Sequence, residues 1–295
     1  MHYKKVTSHD SSFNYQSLIS DVFTKIPAIA QRSVIRGEKT IQFIKLKRSE
    51  HYGIYIHLTS YIEGEQASTI KKTNKDPDLG IVSAPDGEEF MDGDIHALIS
   101  NNNLLFCASG ASRESSIKDY FDALFEKAQI SRPEYVIKTP VKKQVLDMLS
   151  AGVKEINLDA HATALELNNI KRSNSRYLTP IKNIIEILTL KERSLEEIGG
   201  LDGLMFGIHI NSQGRINPDS DSQAVIQAAG KGIIEEELSG FSIITRDGSK
   251  ITHDSISYKH TKSLERYGKT VWRDDAWNAL TEFMDKLLEQ RVIKT

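Results

Sequence analysis

The 295-residue chain is short of several things, and each shortage removes a class of protein. It has one cysteine, Cys107, which excludes an internal disulfide and any cysteine-rich metal framework and fits a reducing compartment. No stretch reaches the roughly 18 consecutive apolar residues of a membrane span. The opening MHYKKVTSHDSS lacks the apolar core of a secretory signal, so a cytoplasmic protein is expected. An excess of one charge is missing too: 38 Lys and Arg face 40 Asp and Glu, for a net charge of −2. Any anion-binding face must therefore come from segregation of charge within a nearly neutral chain. Glycine-rich phosphate cradles are lacking as well. Gly199-Gly200-Leu201-Asp202-Gly203 and Ala229-Gly230-Lys231-Gly232 do not stand between a strand and a helix in the order such a loop needs, and they read as turns or a kink.

What is present is enough for packed cores: 39% hydrophobic and 26% charged residues, with no low-complexity tract and no internal repeat. The length exceeds what one core comfortably fills, so two domains are expected. Residues 14–26 carry Leu18, Ile19, Val22, Phe23 and Ile26 at helical spacing before Pro27. TIQFIKLK (40–47) and YGIYIHLTSY (52–61) alternate apolar and polar residues and predict a hairpin. DIHALIS (94–100) and LLFCAS (104–109) predict a second, turning at Asn101-Asn102-Asn103. A helix is expected from Ser116, with Ile117, Tyr120, Phe121, Leu124 and Phe125 on one face. Ser131-Arg132-Pro133 then marks a boundary. Beyond it the pattern predicts strands at 134–139, 153–162, 204–210, 241–246 and 250–260, with helices at 141–149, 223–238 and along DDAWNALTEFMDKLLEQRVI. A further helix follows Thr179-Pro180, an N-cap with proline at the first helical position, and Ser194-x-x-Glu197 reads as a capping box. The expectation is an α+β protein of two domains, 1–132 and 133–295, each an antiparallel sheet of hairpins packed with helices.

Catalytic constellations are weak. Glu88, Glu89, Asp92 and Asp94 gather acid as a metal-dependent nuclease would, but no strand-borne Lys accompanies them, and a solvated acidic loop is the preferred reading. His260-Thr261-Lys262 matches half of a His-x-Lys phosphodiesterase motif, yet the position where that motif needs Asp is Tyr267. His209 on an alternating strand reads as structural, and Cys107 between Phe106 and Ala108 reads as a buried, inert thiol. No catalytic residue, metal ligand or cofactor is assigned.

The charge map is more informative. NNIKRSNSRYLTPIK (168–182) holds Lys171, Arg172, Arg176 and Lys182 with no carboxylate between Glu166 and Glu186. Residues 255–273 hold Lys259, Lys262, Arg266, Lys269 and Arg273 against Glu265, with Tyr258, Tyr267 and Trp272 interleaved, and Lys142 and Lys143 add a third group. Two such groups on one face would supply roughly six phosphate contacts and a log–log salt slope near −5. Solvated faces are the bland reading of each run alone. Taken together, Lys142, Lys143, Lys171, Arg172, Arg176, Lys182, Lys259, Lys262 and Arg266 are the candidate phosphate contacts.

The order of elements resembles the RexA-like prophage exclusion proteins. The likeness lies in TIQFIKLK/YGIYIHLTSY, in GDIHALISNNNLLFCASGASRESSIKDYFDALF, in QVLDMLSAGVKEINLDAHA and in FSIITRDGSKITHDSISYKHTKSL. It rests on pattern and order and covers most of the chain, while 163–200 is expanded and the acidic loop 76–92 differs. The resemblance implies a dimeric, sequence-tolerant sensor of double-stranded DNA in anti-phage defence, which signals to a small membrane-protein effector or meets a phage or host DNA-processing protein. The DNA-binding subunit of the Kiwa defence system is similar on the same grounds. Two other readings stand beside it: a defence nuclease built on the acidic loop, and a protein-interaction module using the apolar terminal helix, which could otherwise pack on its sheet or form a dimer seam.

Overall fold

Period-two alternation along the N-terminal half builds a large antiparallel sheet, seen in a computed structural model of the chain. The structure describes residues 1–70, 72, 79–160, 179, 206–211, 220–235 and 240–293. They fall into two units, residues 1–138 with 259–295, and residues 139–258. The class is α+β, as expected.

In the first unit seven strands run in the order β2-β3-β4-β7-β8-β1-β9. They are β1 (His2–Ser8), β2 (Val34–Arg36), β3 (Lys39–Ser49), β4 (Gly53–Ile62), β7 (Met91–Ser100), β8 (Asn103–Gly110) and β9 (Tyr135–Lys138). A small outlying hairpin pairs β5 (Ala67–Ile70) with β6 (Leu79–Val82), so part of the acidic loop is a strand. Alternation divides each central strand between two faces. Ile54, Ile56, Leu58, Ile95, Ala97 and Ile99 pack in the core with helices α1 (Tyr15–Lys25) and α2 (Glu114–Lys127). Asn14 caps α1, its side chain accepting from the Ser17 amide. The turn between β7 and β8 is the two residues Asn101-Asn102, with Asn101 at φ 52°, a conformation asparagine tolerates.

Tyr55 belongs to the opposite face of β4, where the last helix, Arg273–Glu289, lies. Trp277 donates from Nε1 to the Ile56 carbonyl at 3.3 Å, and the Tyr55 and Thr281 hydroxyls meet at 2.7 Å. Ala276, Trp277, Leu280, Phe283, Met284 and Leu287 are all buried. The apolar stripe is thus spent on the chain's own sheet.

The second unit has the sheet β11-β10-β12-β13, formed by β10 (Val153–Ala160), β11 (Phe206–Asn211), β12 (Phe241–Thr245) and β13 (Lys250–Thr252). Its core joins Ile156, Ile243 and Ile251 to Val145 and Leu149 of α3 (Lys143–Ser150) and to Ile226 and Ile233 of α4 (Ser220–Glu235). Gly230 is not a turn. It lies inside α4, where a Cβ would come within 2.9 Å of Val153 Cγ2, so its bareness lets helix and strand approach.

Several sequence expectations shift. β1 is a strand within the sheet that alternation does not reveal, because Lys4 and Lys5 interrupt it; Lys4 is buried with its ammonium 2.8 Å from Glu114. β9 pairs with β1 and so belongs to the first unit, as do residues 259–295, which chain order places with the second domain. Helix α2 starts at Glu114 rather than Ser116. The run 250–260 is a three-residue strand followed by a turn of helix, α5 (His253–Ile256), because Thr252 and Ser255 form a capping box that overrides the alternation. The Thr179-Pro180 helix, the Ser194 capping box and the 199–203 glycines lie outside the described residues, apart from Thr179.

Candidate functional site

Cross-strand register places polar groups together inside the first unit. His57 of β4 pairs with His96 of β7, which pairs with Cys107 of β8; in the adjoining row Thr59 pairs with Asp94, which pairs with Ser109. Directly paired residues point to the same face, as do residues two apart, so all six share one side of the sheet. The Asp94 carboxylate is the hub. Its Oδ2 lies 3.2 Å from His57 Nε2 and 3.0 Å from His96 Nε2, and the hydroxyls of Ser109 and Thr270 donate to Oδ1 and Oδ2 respectively. Thr270 arrives from a small hairpin, β14 (Arg266–Tyr267) with β15 (Thr270–Val271).

This cluster is buried: the side chains of Asp94 and His96 are 1% exposed and that of His57 is 14%. Burial opposes a charged carboxylate at Asp94, but the hydrogen-bonding groups around it, His57, Ser109 and Thr270, outweigh it and hold the group well below the usual carboxylate range. Burial pushes His57 down, against the pull of Asp94. The two imidazoles stack with centroids 4.2 Å apart. Three of their four nitrogens, His57 Nδ1 and both nitrogens of His96, are buried without a hydrogen-bond partner. His96 Nε2 is close to Asp94 yet not aligned to donate to it. Each orphaned buried group costs about 1–3 kcal/mol unless something else satisfies it.

The same hairpin has an outer side. Gly268 and Lys269 form its turn, with Gly268 at φ 61°. Thr270 is buried against Asp94, while Arg266, Tyr267, Lys269 and Trp272 are exposed. The Tyr267 and Trp272 rings stand 4.4 Å apart at 46°. Beside them is a cavity of about 740 Å³ lined by His57, Phe90, Met91, Lys269, Thr270 and Trp272 among others. Apolar walls, exposed aromatic faces and cations are the ingredients of a site for a planar anion-bearing ligand.

The sequence-predicted residues are distributed differently from expectation. Lys142 stands at the N-cap of α3 and Lys143 at its first position, both in the second unit. Lys259, Lys262 and Arg266 belong to the first unit, so the described basic groups do not share a domain. Lys262 is held by Glu282 at 2.6 Å, and exposed Lys259 is bridged to His2. Lys171, Arg172, Arg176 and Lys182 lie outside the described residues. The His-x-Lys fragment is occupied structurally, with His260 stacked on Phe283 and Lys262 on Glu282. His209 meets Asn157 and Asn211. The acidic run separates: Asp92 pairs with Lys39, Glu89 accepts from the Gly64 amide at 3.0 Å, and Asp94 turns inward. Among the described residues, one group has metal-ligand spacing, and it is His57, Asp94 and His96.

Runs of charge do not reveal those two histidines. The available signal is Asp94-Ile95-His96, with Asp94 and His96 on one strand face and His57 centred in a partner strand. No protein-family model, curated protein or solved structure matches the chain.

Proposed function

We propose that the chain is a non-enzymatic nucleic-acid-binding sensor of anti-phage defence, gripping the backbone of DNA with little sequence preference. It would act as a homodimer and signal to a partner effector. The observation that carries the binding reading is the 266–271 hairpin with its flanks. It sets two cations, Arg266 and Lys269, beside the exposed Tyr267–Trp272 pair, on a base fixed by Thr270. Cations supply sequence-independent attraction to phosphate, and aromatic faces accept any base that leaves its stack. The defence role and the partner rest on the likeness to the RexA-like proteins.

Fluorescence anisotropy with labelled duplex and single-stranded DNA, titrated across salt, tests it. Binding is expected at low ionic strength and should weaken steeply with salt. Arg266→Glu/Lys269→Glu should lower affinity at least about tenfold and flatten the log–log slope by about 0.9 for each phosphate no longer neutralised. Trp272→Ala should weaken single-strand binding by about 1–3 kcal/mol, the worth of a stacked base. Arg172→Glu/Arg176→Glu in the same titration measures the 168–182 run. No binding to either probe at low salt overturns the reading.

A further inference from the structure

We infer that His57, Asp94 and His96 are ligands of a divalent transition-metal ion of the zinc class, bound inside the first unit. The inference stands apart from DNA binding and uses none of the candidate phosphate contacts. Three observations carry it.

The first is the donor set. Two imidazoles and one carboxylate are borderline ligands that suit zinc and its neighbours, whereas magnesium and calcium prefer all-oxygen sites. The second is spacing. A tetrahedral ion with bonds of about 2.0–2.1 Å separates its ligand atoms by roughly 3.3 Å. The separations from Asp94 Oδ2 to His57 Nε2 and His96 Nε2 are 3.2 and 3.0 Å, and all three ligand atoms lie within 4.8 Å of one another. Small outward shifts suffice to admit an ion.

The third is the lack of partners. His96 is 1% exposed and neither of its nitrogens has a hydrogen-bond partner, although Nε2 sits beside a carboxylate. A hydrogen-bonded polar core would align that nitrogen to donate; a ligand nitrogen instead keeps its lone pair for the ion. The rigidity a metal site requires is also present. Ser109 and Thr270 both donate to Asp94, the outer hydrogen bonds that orient a ligating carboxylate. Three protein ligands leave a coordination position for water or an anionic oxygen.

The test uses the full chain, freed of metal by a chelator and titrated with Co²⁺ as a spectroscopic probe, then with Zn²⁺ in competition. Expected is saturable visible absorption at one equivalent per chain, displaced by Zn²⁺, together with a Zn²⁺-dependent rise in the melting temperature of the wild-type chain. His57→Gln, at the more exposed edge, should reduce affinity by more than the ~100-fold that losing an outer hydrogen-bond partner costs. His96→Gln should do the same. Should His96→Gln fail to fold, His57→Gln and the wild-type melting shift still decide. Absence of both stoichiometric absorption and melting shift would mean a polar cluster without metal, and overturn the inference. Binding that persists unchanged in His57→Gln would place the ion elsewhere and overturn it equally.

Discussion

Cys107 stands in cross-strand register with His96, at the edge of the polar cluster, and burial pushes its thiol up to about 11. At pH 8 about one thiol in a thousand is then ionised in the native chain, against roughly a quarter for an ordinary cysteine near pKa 8.5. Reaction with a disulfide reagent at pH 8 should therefore be slower in the folded chain by about tenfold, since the scarcer thiolate is also the more nucleophilic one, and stoichiometric once urea is added. Rapid native labelling would show the thiol to be accessible and ionised. The neighbouring site is legible only in part. Phe106 and Ala108 suggest a fully buried cysteine, whereas Cys107 is half-buried and Ala108 exposed, and Asp94 stands in the sequence as one acid among four. Its chemistry depends on His57, which register across two strands brings within 3.2 Å. Such pairing is a tertiary fact, and a linear search for acidic or basic runs passes over it.

Elements are more legible than sites, since periodicity reports which face is buried. Hairpins at 40–61 and 94–109 and helices at 14–26 and near 116 all form within about three residues, because alternation and 3.6-residue spacing agree there with turn and cap residues. Strand β1 and the 250–260 run depart from the pattern where one contact outweighs it: the Lys4–Glu114 pair in one, the Thr252–Ser255 cap in the other. Helix α1 has a terminator of the same hidden kind. Arg32, 6% exposed, donates to the carbonyls of Phe23, Ile26 and Pro27, and its guanidinium lies 4.5 Å from the centroid of Phe23 and 5.0 Å from that of Phe43. A charged donor's hydrogen bond contributes about 1.5–3 kcal/mol, and the bonds to the Phe23 and Ile26 carbonyls are buried. Arg32→Ala should thus lower stability by about 3 kcal/mol or more in urea denaturation. Arg32→Lys should recover only a fraction, because an ammonium cannot make the planar fork or match the guanidinium's contact with the two rings. A loss under about 1 kcal/mol would show that water replaces these bonds freely.

At the scale of the whole molecule, the first unit is made from two separated segments, and residues 139–258 interrupt it. The interruption closes on one strand: Lys138 pairs with Lys5 of β1, and Lys259 bridges to His2 of the same strand. Three residues along a strand span about 10 Å, a gap that a flexible linker of about five residues can bridge. Loop closure costs little more for a long insertion than for a short one, so the length of the 120-residue segment should in itself matter little to the first unit. Replacing 139–258 by a five-residue Gly/Ser linker should leave a soluble chain with strand-rich circular dichroism and one cooperative urea transition. Failure to fold would mean that the insertion is part of the unit's core. The shortened chain also separates the two sources of DNA binding. Arg266, Lys269 and Trp272 stay, while Lys142, Lys143 and the whole 168–182 run go. If the hairpin carries the affinity, binding should fall by less than tenfold, with the salt slope lowered by about 0.9 for each phosphate that the removed cations neutralise. Near-complete loss of binding by a folded shortened chain would transfer the interface to the inserted segment.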